Sequence, residues 1–168
     1  MAVDIPTFFC FSLSACMLWV VATDASRYII SNRLNLVVLG LYVAAVALIP
    51  HMPVLTALAT AGIVLTVGLG LFTLGLMGGG DIKLLVVLSL WTGWSETTPQ
   101  FIFLTAIFGG VLVVVVLFAR FLAAAFLQKE GKTLPRLLTK KQPVPYGIAI
   151  AAAFAWLLWT GQIYGLSN

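Results

Sequence analysis

Long apolar runs alternate with short polar stretches from one end of the chain to the other. In lipid, only helices and closed barrels satisfy every backbone polar group, and runs of continuous rather than alternating apolar residues argue against a barrel. The pattern therefore predicts an all-α, polytopic membrane protein with about six transmembrane helices in a single integral-membrane domain, 1–168. The predicted spans are 6–23, 34–50, 54–77, 82–95, 100–122 and 146–164.

Composition agrees with a membrane protein. The chain is 62% hydrophobic and 8% charged, with a mean hydropathy of +1.13, whereas a soluble domain carries about a quarter charged residues. Asp4 is the only charged residue ahead of the first apolar run, so the basic segment that begins a signal peptide is missing. We therefore interpret that run as a retained helix rather than a cleaved signal peptide. Cys10 and Cys16 lie within it, at a spacing that fits neither a zinc site nor a bridge inside one helix.

The basic residues predict the orientation of the chain. With the N-terminus outside, the cytoplasmic loops are about 24–33, 78–83 and 120–145, and they hold all nine lysines and arginines, as the positive-inside rule requires. The tract 128–145 is the main polar segment. We interpret it as an orientation signal that touches anionic lipid headgroups, with substrate recognition as the alternative.

Two of the five acidic residues fall where a predicted helix meets the cytoplasmic face. Asp24 ends the first helix and Asp81 begins the fourth, so two helices present carboxyl groups at one depth. The fourth apolar run is short, about 21 Å against a hydrocarbon core of about 30 Å, so either the bilayer thins locally or the start of this helix lies below the membrane surface. In the second case Asp81 and Lys83 lie at the edge of the hydrocarbon. Neighbouring carboxyls do not both ionise easily, so one can activate water while the other donates a proton. The pair predicts amide hydrolysis without a metal or cofactor.

Three glycines, 78–80, directly precede Asp81. They allow close approach of the backbone and conformations that other residues avoid. A structural interpretation is compatible with this one: the glycines end the third helix and Asp81 is the N-cap of the fourth. Lys83 marks the inner face, or its charge helps to keep a nearby carboxylate ionised.

Three segments resemble the type IV prepilin peptidases. "GGGDIKLL" (78–85) matches their GxGD motif through Gly78, Gly80 and Asp81, and continues with Lys83 as the family typically does. "DASRYIISN" (24–32) resembles their other motif, an aspartate followed eight residues later by an asparagine, here Asn32; a serine stands where the family commonly has a proline.

The third segment, "PVPYGIAIA" (143–151), is similar to the final transition of the family from cytoplasm to membrane, with Pro145, Tyr146 and Gly147. The resemblance implies a membrane aspartyl endopeptidase whose catalytic pair is Asp24 and Asp81. It implies removal of a prepilin leader at the cytoplasmic face of the bacterial inner membrane.

The short chain most resembles the branch that processes Flp-type (tight-adherence) pilins, and we expect cleavage without methylation of the product. The expected partners are the prepilin and membrane lipids, without nucleic acid, and the oligomeric state stays open. Alternatives are a small proton-coupled transporter that uses the two aspartates as a relay, and a pilus-assembly scaffold. A relay should place ionisable groups through the membrane depth, and the predicted spans contain none between the two faces.

Overall fold

Six α-helices make up the described part of the fold. The structure is a computed structural model that describes residues 4–50, 52–126 and 144–166, without the side chains of 124–126. Within these ranges there is no strand, which confirms the all-α prediction. Apart from its last two residues, the polar tract 128–145 lies outside the described residues. The helices are α1 Ile5–Arg27, α2 Asn32–Leu48, α3 Val54–Thr73, α4 Gly79–Thr92, α5 Thr97–Phe126 and α6 Tyr146–Trp159.

Three of these helices are long and apolar enough to cross a membrane: α1, α3 and the Thr97–Ala123 part of α5. Helices α2 and α6 are shorter apolar helices of 17 and 14 residues. The outward side chains of the bundle include many large apolar groups, such as Leu55 at 82% exposure and Leu18 at 70%. A surface of this kind suits lipid and not water. The exact number of membrane crossings remains a prediction.

Helix α4 occupies the middle of the bundle. It packs against α2, α3, α5 and α6, and eight of its 14 residues are buried. It begins at Gly79 and ends at Thr92, three residues earlier at each end than its apolar run predicted. Because protein surrounds it, its small length exposes no unpaired backbone to hydrocarbon, which explains how so short a helix is accommodated.

Glycines set the distance of two helices from their neighbours. A Cβ on Gly68 of α3 would lie 2.7 Å from Ile82 of α4, and a Cβ on Gly109 of α5 would lie 3.0 Å from the Tyr146 ring at the start of α6. In lipid, helices associate through close van der Waals packing more than through the hydrophobic effect, so small residues at the contact matter. These contacts position the N-terminal ends of α4 and α6.

The turn between α1 and α2 is made by polar and backbone caps. Tyr28 ends α1 in the left-handed conformation (φ 56°), and its N–H donates to the carbonyl of Asp24 at 3.0 Å. Ser31 then caps α2, since its hydroxyl accepts a hydrogen bond from the N–H of Leu34 at 3.2 Å. The serine therefore starts the helix by a side-chain hydrogen bond that a proline could not provide.

The turn between α3 and α4 corrects two expectations. Gly75, in the left-handed conformation (φ 70°), follows the end of α3, so the glycines at 78–80 do not end that helix. None of those three has a positive φ. Gly78 is the N-cap of α4, and Asp81, expected to be the cap, lies in the first helical turn.

Candidate active site

The two aspartates selected from the sequence line one cavity. Its volume is about 520 Å³, within the roughly 300–1,000 Å³ of typical small-ligand sites. Five parts of the chain form it: the last turn of α1, the α1–α2 turn, the α3–α4 turn, the first turn of α4 and the start of α6. The lining residues are Asp24, Tyr28, Ile30, Gly75, Leu76, Met77, Gly78, Gly79, Gly80, Asp81, Val144, Pro145 and Tyr146.

Asp24 is almost enclosed by protein. Only 4% of the residue is exposed. The backbone N–H groups of Gly147 and Ile148, in the first turn of α6, face its carboxylate, while Oδ2 itself has no hydrogen-bond partner among the described residues. Unpaired N–H groups and the positive end of the helix dipole make an N-terminus a favourable place for an anion. These N–H groups offset part of the cost of burying a carboxylate here, and one oxygen is left to accept a proton.

Asp81 lies ahead of the apolar part of α4 and is partly buried. Its carboxylate interacts with the N–H of the N-cap Gly78, the reach from N3 back to the N-cap that is known from capping boxes. Burial, followed by the negative charge of Asp24, raises the pKa of Asp81 to about 6, and the Gly78 N–H opposes that rise. The two carboxyls therefore act on each other electrostatically, and Asp81 keeps its proton to higher pH than an ordinary aspartate.

Ile30 holds three elements of the site together. A Cβ on Gly80 of α4 would lie 3.4 Å from the Cβ of Ile30, and a Cβ on Gly147 of α6 would lie 2.8 Å from its Cδ1. The isoleucine is therefore wedged between two glycines on different helices. All three segments that resemble the peptidase family meet at this side chain.

The glycines of the GxG segment differ in how much room surrounds them. A Cβ on Gly78 would lie 2.9 Å from Oδ2 of Asp81, closer than side chains normally approach. At Gly79 the nearest atom, from the Phe72 ring, would lie at 3.5 Å, which is ordinary contact. The middle position accepts a side chain, whereas a side chain at the first position would force the Asp81 carboxyl to shift. Close approach, and not unusual backbone conformation, is what this segment requires.

Asn32 and Lys83 lie outside the cavity lining. Lys83 Nζ donates to Asn32 Oδ1 at 3.0 Å, and both side chains are exposed. Within the described ranges Lys83 forms no ion pair with either aspartate, so the structure gives no support to a role in keeping a carboxylate ionised. The pair instead joins the start of α2 to α4.

The start of α6 contributes through its backbone and its small side chain. Pro145 is the N-cap of the helix, and Tyr146 lines the cavity while its ring packs against Gly109. A Cβ on Gly147 would lie 2.7 Å from Oδ2 of Asp24. All three residues of this motif thus adjoin the site.

Sequence reasoning missed one polar side chain of the cavity. Tyr28 lines it, and its hydroxyl is buried without a hydrogen-bond partner among the described residues. The available signal was its spacing, since residues four apart lie on one face of a helix and Tyr28 follows Asp24 by four.

Fold and site together define a helical membrane protein with a pair of interacting carboxyls in a cavity at helix ends. Comparison with known families then identifies it: the model of the type IV leader peptidase family matches residues 11–127, and the chain belongs to that family. The match includes both aspartates and ends before Gly147. No curated protein and no solved structure matches the chain significantly. The family implies a peptidase that acts on prepilin-type leader sequences, in agreement with the resemblance seen in the motifs.

Proposed function

We propose that this protein is an aspartyl endopeptidase in which Asp24 and Asp81 are the catalytic pair. The observation that carries the proposal is that both carboxyls line one cavity and that the charge of Asp24 acts on Asp81. Membership of the leader peptidase family makes a peptide bond the expected target. The segments that surround the pair supply supporting contacts from Gly78, Gly80 and Gly147.

The surroundings of the two carboxyls suggest different roles. Asp24, whose buried carboxylate faces two backbone N–H groups, is the base, and Asp81, whose pKa burial and the charge of Asp24 raise to about 6, carries the proton that the pair shares and is the acid. Water attacks the scissile carbonyl carbon and gives a proton to Asp24, while Asp81 protonates the carbonyl oxygen. The resulting diol then returns a proton to Asp81, Asp24 protonates the leaving nitrogen, and the C–N bond breaks. No metal or cofactor takes part in these steps.

The substrate we propose is a Flp-type prepilin, cut at the cytoplasmic face of the bacterial inner membrane. Arg27, Arg33 and Lys83 lie at the same end of the helices as the cavity, and basic residues favour the cytoplasmic side. In this orientation the N-terminus is outside, the six helices each run from one face toward the other, and the cavity opens inward. The first turn of α4 adds the N–H groups of Gly79 and Gly80, which have no intrahelical acceptor and could bind an extended leader.

A proton-coupled transporter is the less favoured alternative. A relay needs ionisable groups through the depth of the membrane, and within the described ranges the helices carry no aspartate, glutamate or histidine between the two aspartates and the far end of the bundle. Both acids lie in one cavity at one end. An assembly scaffold would have no need for two buried, interacting carboxyls, because burying such groups is costly.

The test is co-expression with a Flp-type prepilin, followed by gel mobility and mass measurement of the product. Wild-type protein should release the leader, and the mature chain should carry no added methyl group. Asp24→Asn and Asp81→Asn should each lower the cleavage rate by at least about 10³-fold, because each removes half of one proton-transfer unit, with normal insertion. Cleavage near the wild-type rate by either variant would exclude the pair. A product that gains a methyl group only when S-adenosylmethionine is present would exclude a peptidase-only enzyme.

A further inference from the structure

Tyr28 carries an unusual combination of features at the edge of the site. Its backbone is in the left-handed conformation (φ 56°, ψ 35°) although it carries a bulky side chain. Every other described residue with a positive φ is a glycine. This conformation is disfavoured for a side chain of this kind. Tyr28 ends α1, four residues after Asp24, and is one of the residues that line the cavity.

The hydroxyl of Tyr28 is buried but makes no hydrogen bond to any described residue. Buried polar groups are nearly always paired, so each exception asks for a reason. Several other buried groups in the described ranges are also unpaired, but they belong to residues of the helical core: Asn35, Tyr42, Trp91 and Thr105. Among the cavity-lining residues the unpaired atoms are Oδ2 of Asp24 and the hydroxyl of Tyr28.

These two atoms are complementary to a peptide undergoing hydrolysis. Oδ2 of Asp24 can accept the proton of the attacking water, and a phenol hydroxyl can donate to the carbonyl oxygen. Donors already positioned where negative charge develops stabilise the transition state without reorganisation. A hydroxyl that has no acceptor among the described residues is available to hydrogen-bond a substrate.

We propose that Tyr28 is a third catalytic residue, which donates a hydrogen bond from its hydroxyl to the carbonyl oxygen of the scissile peptide as that oxygen gains charge. The inference rests on the proposed function, because it needs the peptide bond to lie between Asp24 and Asp81. Tyr28 transfers no proton: Asp81 protonates the oxygen, and the tyrosine stabilises the charge that develops before that transfer is complete.

The matched variants are Tyr28→Phe and Tyr42→Phe. Each removes one buried, unpaired hydroxyl and keeps the ring, but Tyr42 lies in the core, in edge-to-face contact with Trp91 at 5.5 Å between ring centroids. Tyr28→Phe should lower kcat for prepilin cleavage by about 10²-fold, as the loss of one such donor does elsewhere, with KM within about threefold. Tyr42→Phe should leave both constants within about twofold.

Thermal stability separates this role from a structural one. Since the Tyr28 hydroxyl has no hydrogen-bond partner among the described residues, Tyr28→Phe should melt at the wild-type temperature or above it. A lower melting temperature would show that the hydroxyl serves the fold and would overturn the proposal. Unchanged kcat, or a rise in KM alone, would overturn it as well.

Binding of two uncleavable prepilin peptides gives an independent test. A hydroxyethylene isostere keeps an oxygen at the scissile position, and a reduced-amide isostere has none. Tyr28→Phe should bind the first at least about tenfold more weakly and the second as wild type does; equal affinity for both would refute the contact. If wild type cleaves and Asp81→Asn does not, the proposed function stands whatever Tyr28→Phe does. If wild type fails to cleave, or Asp81→Asn cleaves normally, the function and this role fail together.

Discussion

Gly147 offers the sharpest steric test of the site. The residue lies in the first turn of α6, and a Cβ added there would lie 2.7 Å from Oδ2 of Asp24 and 2.8 Å from Cδ1 of Ile30. Ordinary contacts begin at about 3.4 Å, so each atom, or the helix itself, has to move by roughly 0.6–0.7 Å. The change Gly147→Ala should therefore displace the Asp24 carboxylate without removing any functional group.

The expected loss follows from that displacement. Overpacking of this size costs about 1–3 kcal/mol, offset in part by the gain of about 0.5–1 kcal/mol when alanine replaces glycine in a helix. A misplacement of about 1 Å can cost about 10²-fold in rate, so kcat/KM for prepilin cleavage should fall by about 10- to 100-fold. Lost folding free energy should amount to no more than about 2 kcal/mol, which leaves a folded protein to assay.

The matched control is Gly110→Ala on α5. No atom lies within 4 Å of a Cβ at Gly110, so alanine there should keep activity within about twofold and leave stability unchanged or slightly raised. Both variants are purified in detergent, their melting temperatures are compared, and cleavage is followed by gel mobility. If folded Gly147→Ala cleaves at the same rate as Gly110→Ala, the close contact between α6 and Asp24 does not exist as described.

Two further predictions use the surroundings of Asp81. Gly78→Ala should lower the cleavage rate by about tenfold or more, because its Cβ would lie 2.9 Å from Oδ2 of Asp81. Gly79→Ala, whose Cβ would have no atom nearer than 3.5 Å, should keep the rate within about threefold of wild type. Equal losses in the two variants would show that the space around these glycines does not decide activity. The raised pKa of Asp81 also predicts a pH effect on stability, because its contribution is complete below the unfolded value of 3.8 and is lost as the pH rises through about 6. The difference between these two pKa values corresponds to at most about 3 kcal/mol of folding free energy, and to less where solvent reaches the Asp81 carboxyl. The melting temperature of the wild type should therefore fall relative to that of Asp81→Asn between pH 4 and pH 7. A difference in melting temperature that stays constant over this range would contradict the raised pKa.

Local sequence determined the elements and the candidates for the site. Continuous apolar runs predicted all six helices within a few residues of their ends, because helix formation in lipid follows from local hydrophobicity and backbone satisfaction. The position of Asp24 and Asp81 at helix ends marked them as a pair, and the motifs around them indicated the family that the match over residues 11–127 confirms.

The tertiary structure decided which atoms touch, and here local reasoning reached its limit. Packing between elements decides that Gly75 and not Gly78 ends α3, and that four helices enclose α4. The wedge of Ile30 between Gly80 and Gly147 joins residues more than 100 positions apart, and the unpaired hydroxyl of Tyr28 is recognisable only once the cavity around it is known. A sequence pattern reports what each residue prefers beside its chain neighbours, whereas the close approach of Gly147 to Asp24 and Ile30 is set by where separate elements of the fold pack together.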